Sequence, residues 1–177
     1  MIPLFFLQMS GFPGSGKSTL AQAISKEFKA IIVDHDIVKS ALLESMAEHH
    51  LDLSASGNIG YSIDWALADF YLSQGFPVIL DSPCLYSEMI EKGQALSKQY
   101  NVKYKYVECI ARDMHVVNKR LKKRDNMISQ ITAVSSEEGF YYTIENSAKP
   151  QDTAILQVNT LQRPEEYIEE VINYMKG

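Results

Sequence analysis

The sequence predicts an α/β fold of three layers, in which a five-stranded parallel sheet lies between helices on both faces. Five short apolar runs alternate with segments of helical periodicity along the chain. The runs are almost continuously apolar, which is typical of parallel strands that are buried on both faces. A length of 177 residues fits a single domain, 1–177, that buries a core of its own.

Each predicted strand is a short apolar run that ends where polar or glycine residues begin. The first run leads directly into a glycine-rich loop, and the second and third each end at an aspartate. Strands are therefore expected at residues 3–9, 30–33, 77–80, 102–110 and 154–158.

The helices are predicted from apolar residues that recur every three or four positions. In the first helix, Leu20, Ile24 and Phe28 share a face, and Pro164 followed by two glutamates begins the last helix. Segment 125–151 has the least regular pattern, so we expect an irregular lid or acceptor-side loop there. The predicted helices are residues 17–28, 37–46, one from 59 to near Gly75, 86–100, 113–124 and one that starts at 164.

The composition limits the classes of partner. A net charge of −5 argues against a broad basic face for extended nucleic acid. No apolar run is long enough to span a bilayer. Cys84 and Cys109 lack the spacing of metal ligands or of a disulfide framework. We therefore expect a cytoplasmic protein with free thiols and no membrane partner.

Residues 11–19 match the phosphate-binding motif G-x-x-x-x-G-K-[ST], between an apolar run and an amphipathic helix. The glycines allow backbone N–H groups to turn toward an anion at the helix N-terminus. We expect Lys17 to reach the β- and γ-phosphates of ATP and Ser18 to bind Mg²⁺. The predicted nucleotide contacts are Gly11, Pro13, Gly14, Ser15, Gly16, Lys17, Ser18 and Thr19.

Aspartates follow two of the predicted strands. Asp34 and Asp36 come at the end of the second strand, and Asp81 ends the third. Ligands of such sheets bind at the carboxyl ends of the strands, where the first strand places its phosphate loop. We expect Asp34 and Asp81 to hold Mg²⁺ together with Ser18, and Asp36 to accept the proton of an attacking hydroxyl. The alternative for Asp34 or Asp36 is to cap the following helix.

Two arginines are candidates for contact with the transferred phosphoryl group. Arg120 and Arg124 lie four positions apart on a predicted helix, so they share a face. The forked guanidinium suits phosphate oxygens better than an ammonium does. We expect both to be catalytic; the alternative is an ordinary solvated basic face.

These motifs resemble a group of P-loop kinases that includes polynucleotide 5′-hydroxyl kinases, zeta toxins, chloramphenicol phosphotransferase and related AAA-type small kinases. The resemblance implies the P-loop NTPase fold with strand order 2-3-1-4-5. It also implies that Asp36 is the general base, that the Arg120 helix edges a lid, and that loop 159–164 holds adenine. The segments that carry the resemblance are 11–19, Asp36–Lys39, Val107–Cys109 and Arg120–Arg124.

The sequence thus predicts a kinase that transfers the γ-phosphoryl group of MgATP to a hydroxyl of an unidentified acceptor. The Asn-Lys-x-Asp guanine reader of Ras-type GTPases is absent. Two alternatives stay open: a nucleotide-sensing module with little or no transfer, and a toxin-type kinase of a nucleotide sugar. The paired acids and the arginines favour a kinase, because sensing requires neither.

Overall fold

The computed structural model describes residues 3–177 and, within them, one five-stranded sheet. Its order is β2-β3-β1-β4-β5, and every neighbouring pair runs parallel. The predicted α/β fold and the strand order implied by the resemblance are confirmed. The strands are β1 Phe5–Ser10, β2 Ile31–Asp34, β3 Val78–Asp81, β4 Lys103–Ile110 and β5 Ile155–Asn159.

Helices connect the strands, as parallel strands require. Six of them match the helices predicted from periodicity, with ends that differ by up to three residues. A short 3₁₀ turn, Leu53–Ala55, precedes the third. None of the helices within 3–177 has the length and apolar character needed to cross a membrane. The helices are α1 Lys17–Phe28, α2 His35–Glu48, α3 Ser56–Ser73, α4 Ser87–Gln99, α5 Met114–Lys123, α6 Glu137–Asn146 and α7 Pro164–Lys176.

Strand β1 lies at the centre of the core, and its alternate side chains pack into two different layers. Phe5, Leu7 and Met9 face α1 and α7 on one side of the sheet. Phe6 packs on the other side, where Ala68 and other α3 residues cover it. All four β1 side chains are almost completely buried. The central strand therefore holds the three layers together.

Helix α6 corrects the prediction that 125–151 is irregular. Its N-cap is Ser136, whose hydroxyl accepts a hydrogen bond from the third residue of the helix. Only Phe140 and Ile144 are buried, and they pack against Val117 and Leu121 of α5. A single pair of apolar residues four positions apart is too short a pattern to reveal a helix. The role of the segment as a lid stays a prediction.

The register of the sheet aligns the carboxyl ends of its strands. Asp34 at the end of β2 pairs with Asp81 at the end of β3. In the same way, Ser10 at the end of β1 pairs with Glu108 of β4. The loop that follows β1 therefore starts beside the end of β3, which carries Asp81, and Asp34 lies on the next strand, β2.

A glycine in α4 sets how closely that helix approaches the sheet. A Cβ atom at Gly93 would lie 2.7 Å from Oε1 of Gln8 and 2.9 Å from the rings of Phe6 and Tyr104. We expect Gly93→Ala to lower the free energy of unfolding by about 1–3 kcal/mol, because the added methyl overpacks the core. Urea denaturation at equilibrium measures this loss.

The matched control is Gly57→Ala in the first turn of α3, where a Cβ would meet no atom within 4 Å. Alanine there should raise the free energy of unfolding by up to about 1 kcal/mol through its higher helix propensity. If both variants had the wild-type denaturation midpoint, the close packing at Gly93 would not limit stability.

Candidate active site

The phosphate loop depends on a glycine that has room for no side chain. Gly11 has φ +138°, and a Cβ there would lie 2.5 Å from both the Cys109 carbonyl oxygen and Oγ of Ser15. The loop ends at Gly16, which has φ +90° and forms the N-cap of α1. Glycine adopts such angles without the strain that other residues incur. These backbone angles lead the loop into the N-terminus of α1. The free N–H groups and the dipole at that end of the helix favour an anion.

Lys17 folds back across the phosphate loop. Its Nζ donates hydrogen bonds to the carbonyl oxygens of Gly11, at 2.9 Å, and Phe12, at 3.3 Å. The loop is also fixed from the end of β5, where the Thr160 hydroxyl donates to the Ser15 carbonyl at 2.6 Å. The ammonium group is therefore held inside the loop, where an anion would meet it.

A cleft of about 780 Å³ gathers most of the predicted site residues. Ser15 lies outside it, because its side chain is buried behind the loop, and Gly11 faces an adjacent cavity. Thr160, Gln162 and Pro164 line the cleft from the loop that resemblance assigns to adenine. The predicted residues that it brings together are Pro13, Gly14, Gly16, Lys17, Ser18, Thr19, Asp34, Asp36, Asp81, Arg120 and Arg124.

Asp34 is both the N-cap of α2 and part of the cleft wall. Its Oδ1 accepts hydrogen bonds from the backbone N–H groups of Asp36, at 2.9 Å, and Ile37, at 3.3 Å. Burial, and then the nearby Asp81 carboxylate, raise the pKa of Asp34 to about 6. Asp34 therefore caps α2, as the alternative interpretation predicted. Its role in binding Mg²⁺ stays a prediction.

Asp81 offers a buried oxygen in the cleft. The residue is 4% exposed, and Oδ2 has no hydrogen-bond partner among residues 3–177. Burial raises the pKa of Asp81, and this rise is partly opposed by the Lys17 ammonium and the Ser18 hydroxyl. A buried carboxylate oxygen without a donor costs free energy unless a cation meets it. Asp81, Ser18 and Asp34 thus fit the oxygen ligands that Mg²⁺ prefers.

Protein groups alone do not complete a metal site here. No cluster of three or more His, Cys, Asp or Glu side chains in the described part of the chain is placed to hold a metal ion. Mg²⁺ in nucleotide sites usually takes only one or two protein carboxylates and completes its coordination with phosphates and water. The residues present are therefore suited to Mg²⁺ that arrives with a nucleotide.

Asp36 is tied to the segment that precedes α6. Its Oδ2 accepts a hydrogen bond of 2.8 Å from Nε2 of Gln130, and its carbonyl accepts one of 3.1 Å from the Ser129 hydroxyl. Sequence reasoning missed Gln130 and Ser129, since they belong to no motif. Thr160 was not predicted individually, although loop 159–164, which contains it, was expected in the site.

The two arginines both point into the cleft, but they have different partners. Arg120 donates to the carbonyl of Thr160 at 2.5 Å and weakly to that of Gly14 at 3.4 Å. Arg124 donates to Oδ1 of Asn126 at 2.6 Å and to the Ile131 carbonyl at 2.8 Å. Burial lowers the pKa of Arg124, which the nearby Asp36 partly offsets. Their contact with phosphate stays a prediction.

The raised pKa of Asp34 predicts a pH dependence of stability. Its pKa changes from 3.8 in the unfolded chain to about 6 in the folded state. Between these values the folded protein keeps a proton that the unfolded chain has lost, so the free energy of unfolding falls as pH rises from 3.8 to about 6. We expect Asp34→Asn to flatten this fall in urea titrations of the metal-free protein.

The control for this experiment is Asp113→Asn, which changes the N-cap carboxylate of α5, whose Oδ1 accepts from the Val116 N–H at 3.0 Å. It tests whether replacing any capping aspartate has the same effect. An identical pH slope in wild type and Asp34→Asn would contradict the assignment of the raised pKa.

Comparisons with known proteins identify the family and the fold. The model of the family described as AAA domain matches residues 7–138, which is most of the chain. No curated protein sequence is significantly similar to it. The match covers the phosphate loop, all three aspartates and both arginines.

Several solved structures share the fold. A sugar kinase from Janibacter sp. is 17% identical, with a TM-score of 0.68, over 98% of this chain and 95% of that one. A gluconokinase from Sinorhizobium meliloti 1021 is 15% identical, with a TM-score of 0.65, over 99% and 93%. APS kinase of Mycobacterium tuberculosis, in complex with AMPPNP and APS, is 14% identical, with a TM-score of 0.66, over all of both chains. The chain therefore belongs to the AAA domain family and has the fold of small P-loop kinases.

Proposed function

We propose that this protein is an ATP-dependent kinase that transfers the γ-phosphoryl group of MgATP to a hydroxyl of a small acceptor. The observation that carries the proposal is that one cleft contains Lys17 of the phosphate loop, Asp36, and Asp81, whose Oδ2 has no hydrogen-bond partner in the described part of the chain. A site for nucleotide binding alone has no need of Asp36. The similar structure that holds AMPPNP supports ATP as the donor.

The loop and its lysine bind the phosphates of the donor. The positive-φ glycines and the N-terminus of α1 direct backbone donors to the anion, and Lys17 adds a full charge. To reach phosphate, Lys17 exchanges its hydrogen bonds to the Gly11 and Phe12 carbonyls for phosphate oxygens. Bound Mg²⁺ supplies charge that neutralises the phosphates, and Ser18 with Asp81 and Asp34 would hold it.

Asp36 orients the acceptor. Gln130 holds Oδ2 of Asp36, which fixes the plane of the carboxylate at the first turn of α2. The other oxygen, Oδ1, is then the one that accepts the hydrogen bond and finally the proton of the attacking hydroxyl. Because the transition state of phosphoryl transfer is loose, this orientation contributes more than proton removal does.

Arg120 and Arg124 supply positive charge on the side of the cleft formed by α5. Both now donate to backbone or side-chain oxygens, so they are ordered before a phosphate arrives. We propose that they stabilise charge on the transferred group. The two thiols, Cys84 and Cys109, are buried and unpaired within the described residues, and we keep the cytoplasm as the proposed location.

Two substitutions separate donor binding from transfer. Lys17→Ala should lose most MgATP affinity, because the only full positive charge within the loop disappears. Asp36→Asn should keep the affinity for the analogue MgAMPPNP within about threefold but lower transfer by about 10²–10⁴-fold. Calorimetry with MgAMPPNP measures binding, and labelled ATP with a panel of hydroxyl compounds measures transfer.

Glu91→Gln, at an exposed carboxyl on α4, is the matched control and should change neither measurement. Transfer by Asp36→Asn at the wild-type rate would show that Asp36 is not the base. Binding of MgAMPPNP without transfer to any compound in the panel would favour a nucleotide-sensing module instead.

A further inference from the structure

A second cavity, of about 230 Å³, lies beside the first half of the phosphate loop. Resting on the proposed function, we propose that this cavity binds an uncharged, ring-bearing portion of the acceptor, so that the substrate is a neutral alcohol with an apolar ring. The walls that carry the argument are apolar and come from the loop, the ends of β3 and β4, and the segment around α6. They include Phe12, Pro83, Cys109, Ala111, Ile131 and Ile144.

The size of the cavity fits one or two rings. An apolar cavity of about 150 Å³ in a protein core stays dry and binds benzene. The present cavity is larger, so it accommodates a substituted ring or a fused pair. Ligand sites are typically apolar concavities with a few placed polar groups. This cavity follows that pattern, with Thr143 and Ser147 as its hydroxyl-bearing residues on the α6 side.

The charges around the cavity disfavour an anionic acceptor. Its one charged lining residue is Glu108, which is 3% exposed. Lys149 lies 3.0 Å from Glu108, and Gln157 donates to the same carboxylate at 2.8 Å. The Lys149 ammonium is thereby neutralised. Within the described lining of this cavity no cation is left to hold a phosphate, sulfate or carboxylate group of an acceptor.

The proposed function assigns the cations of the neighbouring cleft to the phosphates of the donor. Lys17 donates to the loop carbonyls, Arg120 to the Thr160 carbonyl after β5, and Arg124 to the Ile131 carbonyl before α6. The acceptor side instead presents Asp36, a carboxylate that would repel an anion. This distribution of charged side chains favours an acceptor that carries no net charge.

The cavity and the cleft meet, so a ring in one places a hydroxyl in the other. Pro13 and Pro83 line both. Directly before Pro83, the buried Ser82 lines the cleft, and its Oγ has no hydrogen-bond partner among residues 3–177. A buried hydroxyl without a partner is costly unless a ligand meets it. The acceptor hydroxyl, on its way to Asp36, is such a ligand.

The test combines substrate preference with filling of the cavity. Labelled ATP is supplied with neutral ring-bearing alcohols, starting with benzyl alcohol, and with gluconate, simple sugars and nucleoside monophosphates. Thr143→Trp places an indole in the cavity, and Ile131→Trp does so from another wall. Tyr142→Trp is the control, because Tyr142 is 66% exposed on the same helix.

We expect transfer to the neutral ring-bearing alcohols. Either filling variant should raise the KM for that acceptor at least tenfold and leave the KM for ATP unchanged, while Tyr142→Trp changes neither. Benzyl alcohol should shift the ¹³C-methyl resonances of Ile131 and Ile144 in the MgAMPPNP complex of the wild type. The Thr143→Trp variant should not show the shift of Ile144.

Two results would overturn the inference. One is preferred transfer to anionic or sugar acceptors whose KM is unaffected by both filling variants, which would leave the kinase proposal intact. The other is the absence of any shift of the Ile131 and Ile144 methyls with benzyl alcohol. Failure to bind MgAMPPNP would instead refute the proposed function.

Discussion

The site depends on the parallel register of β2, β3 and β1. Because Asp34 pairs with Asp81 at the last position of both strands, two carboxylates emerge at the same height beside the loop that follows β1. A shift of one residue would turn a strand-end side chain to the other face of the sheet. The strand that packs into both core layers, β1, is also the strand that leads into the phosphate loop.

The carboxylates at this edge of the sheet repel one another. Burial raises the pKa of both Asp34 and Asp81. Repulsion from Asp81 adds to the rise for Asp34, and repulsion from Asp36 adds to the rise for Asp81, which the Lys17 ammonium opposes in part. A divalent cation would relieve the repulsion and favour the ionised form of both side chains. The folded protein thus keeps a local electrostatic cost that the binding of metal and nucleotide can lower.

The sequence alone predicted those parts of the structure that follow from patterns among neighbouring residues. Continuous apolar runs predicted the five strands, and the glycine motif predicted the loop at Gly11 and Gly16. The contact of Gln130 with Asp36 joins residues 94 positions apart, so no local pattern could reveal it. Helix α6 was missed for a related reason, since its two apolar residues become a buried face only when α5 covers them.

The position of Lys17 has a consequence for how a nucleotide binds. Its ammonium is already held by two loop carbonyls and is 9% exposed, so folding has restricted this long side chain before any phosphate arrives. Immobilising a flexible side chain upon association costs about 0.5–1.5 kcal/mol. Here that entropic cost falls on the stability of the protein instead, and the loop is preorganised for its anion.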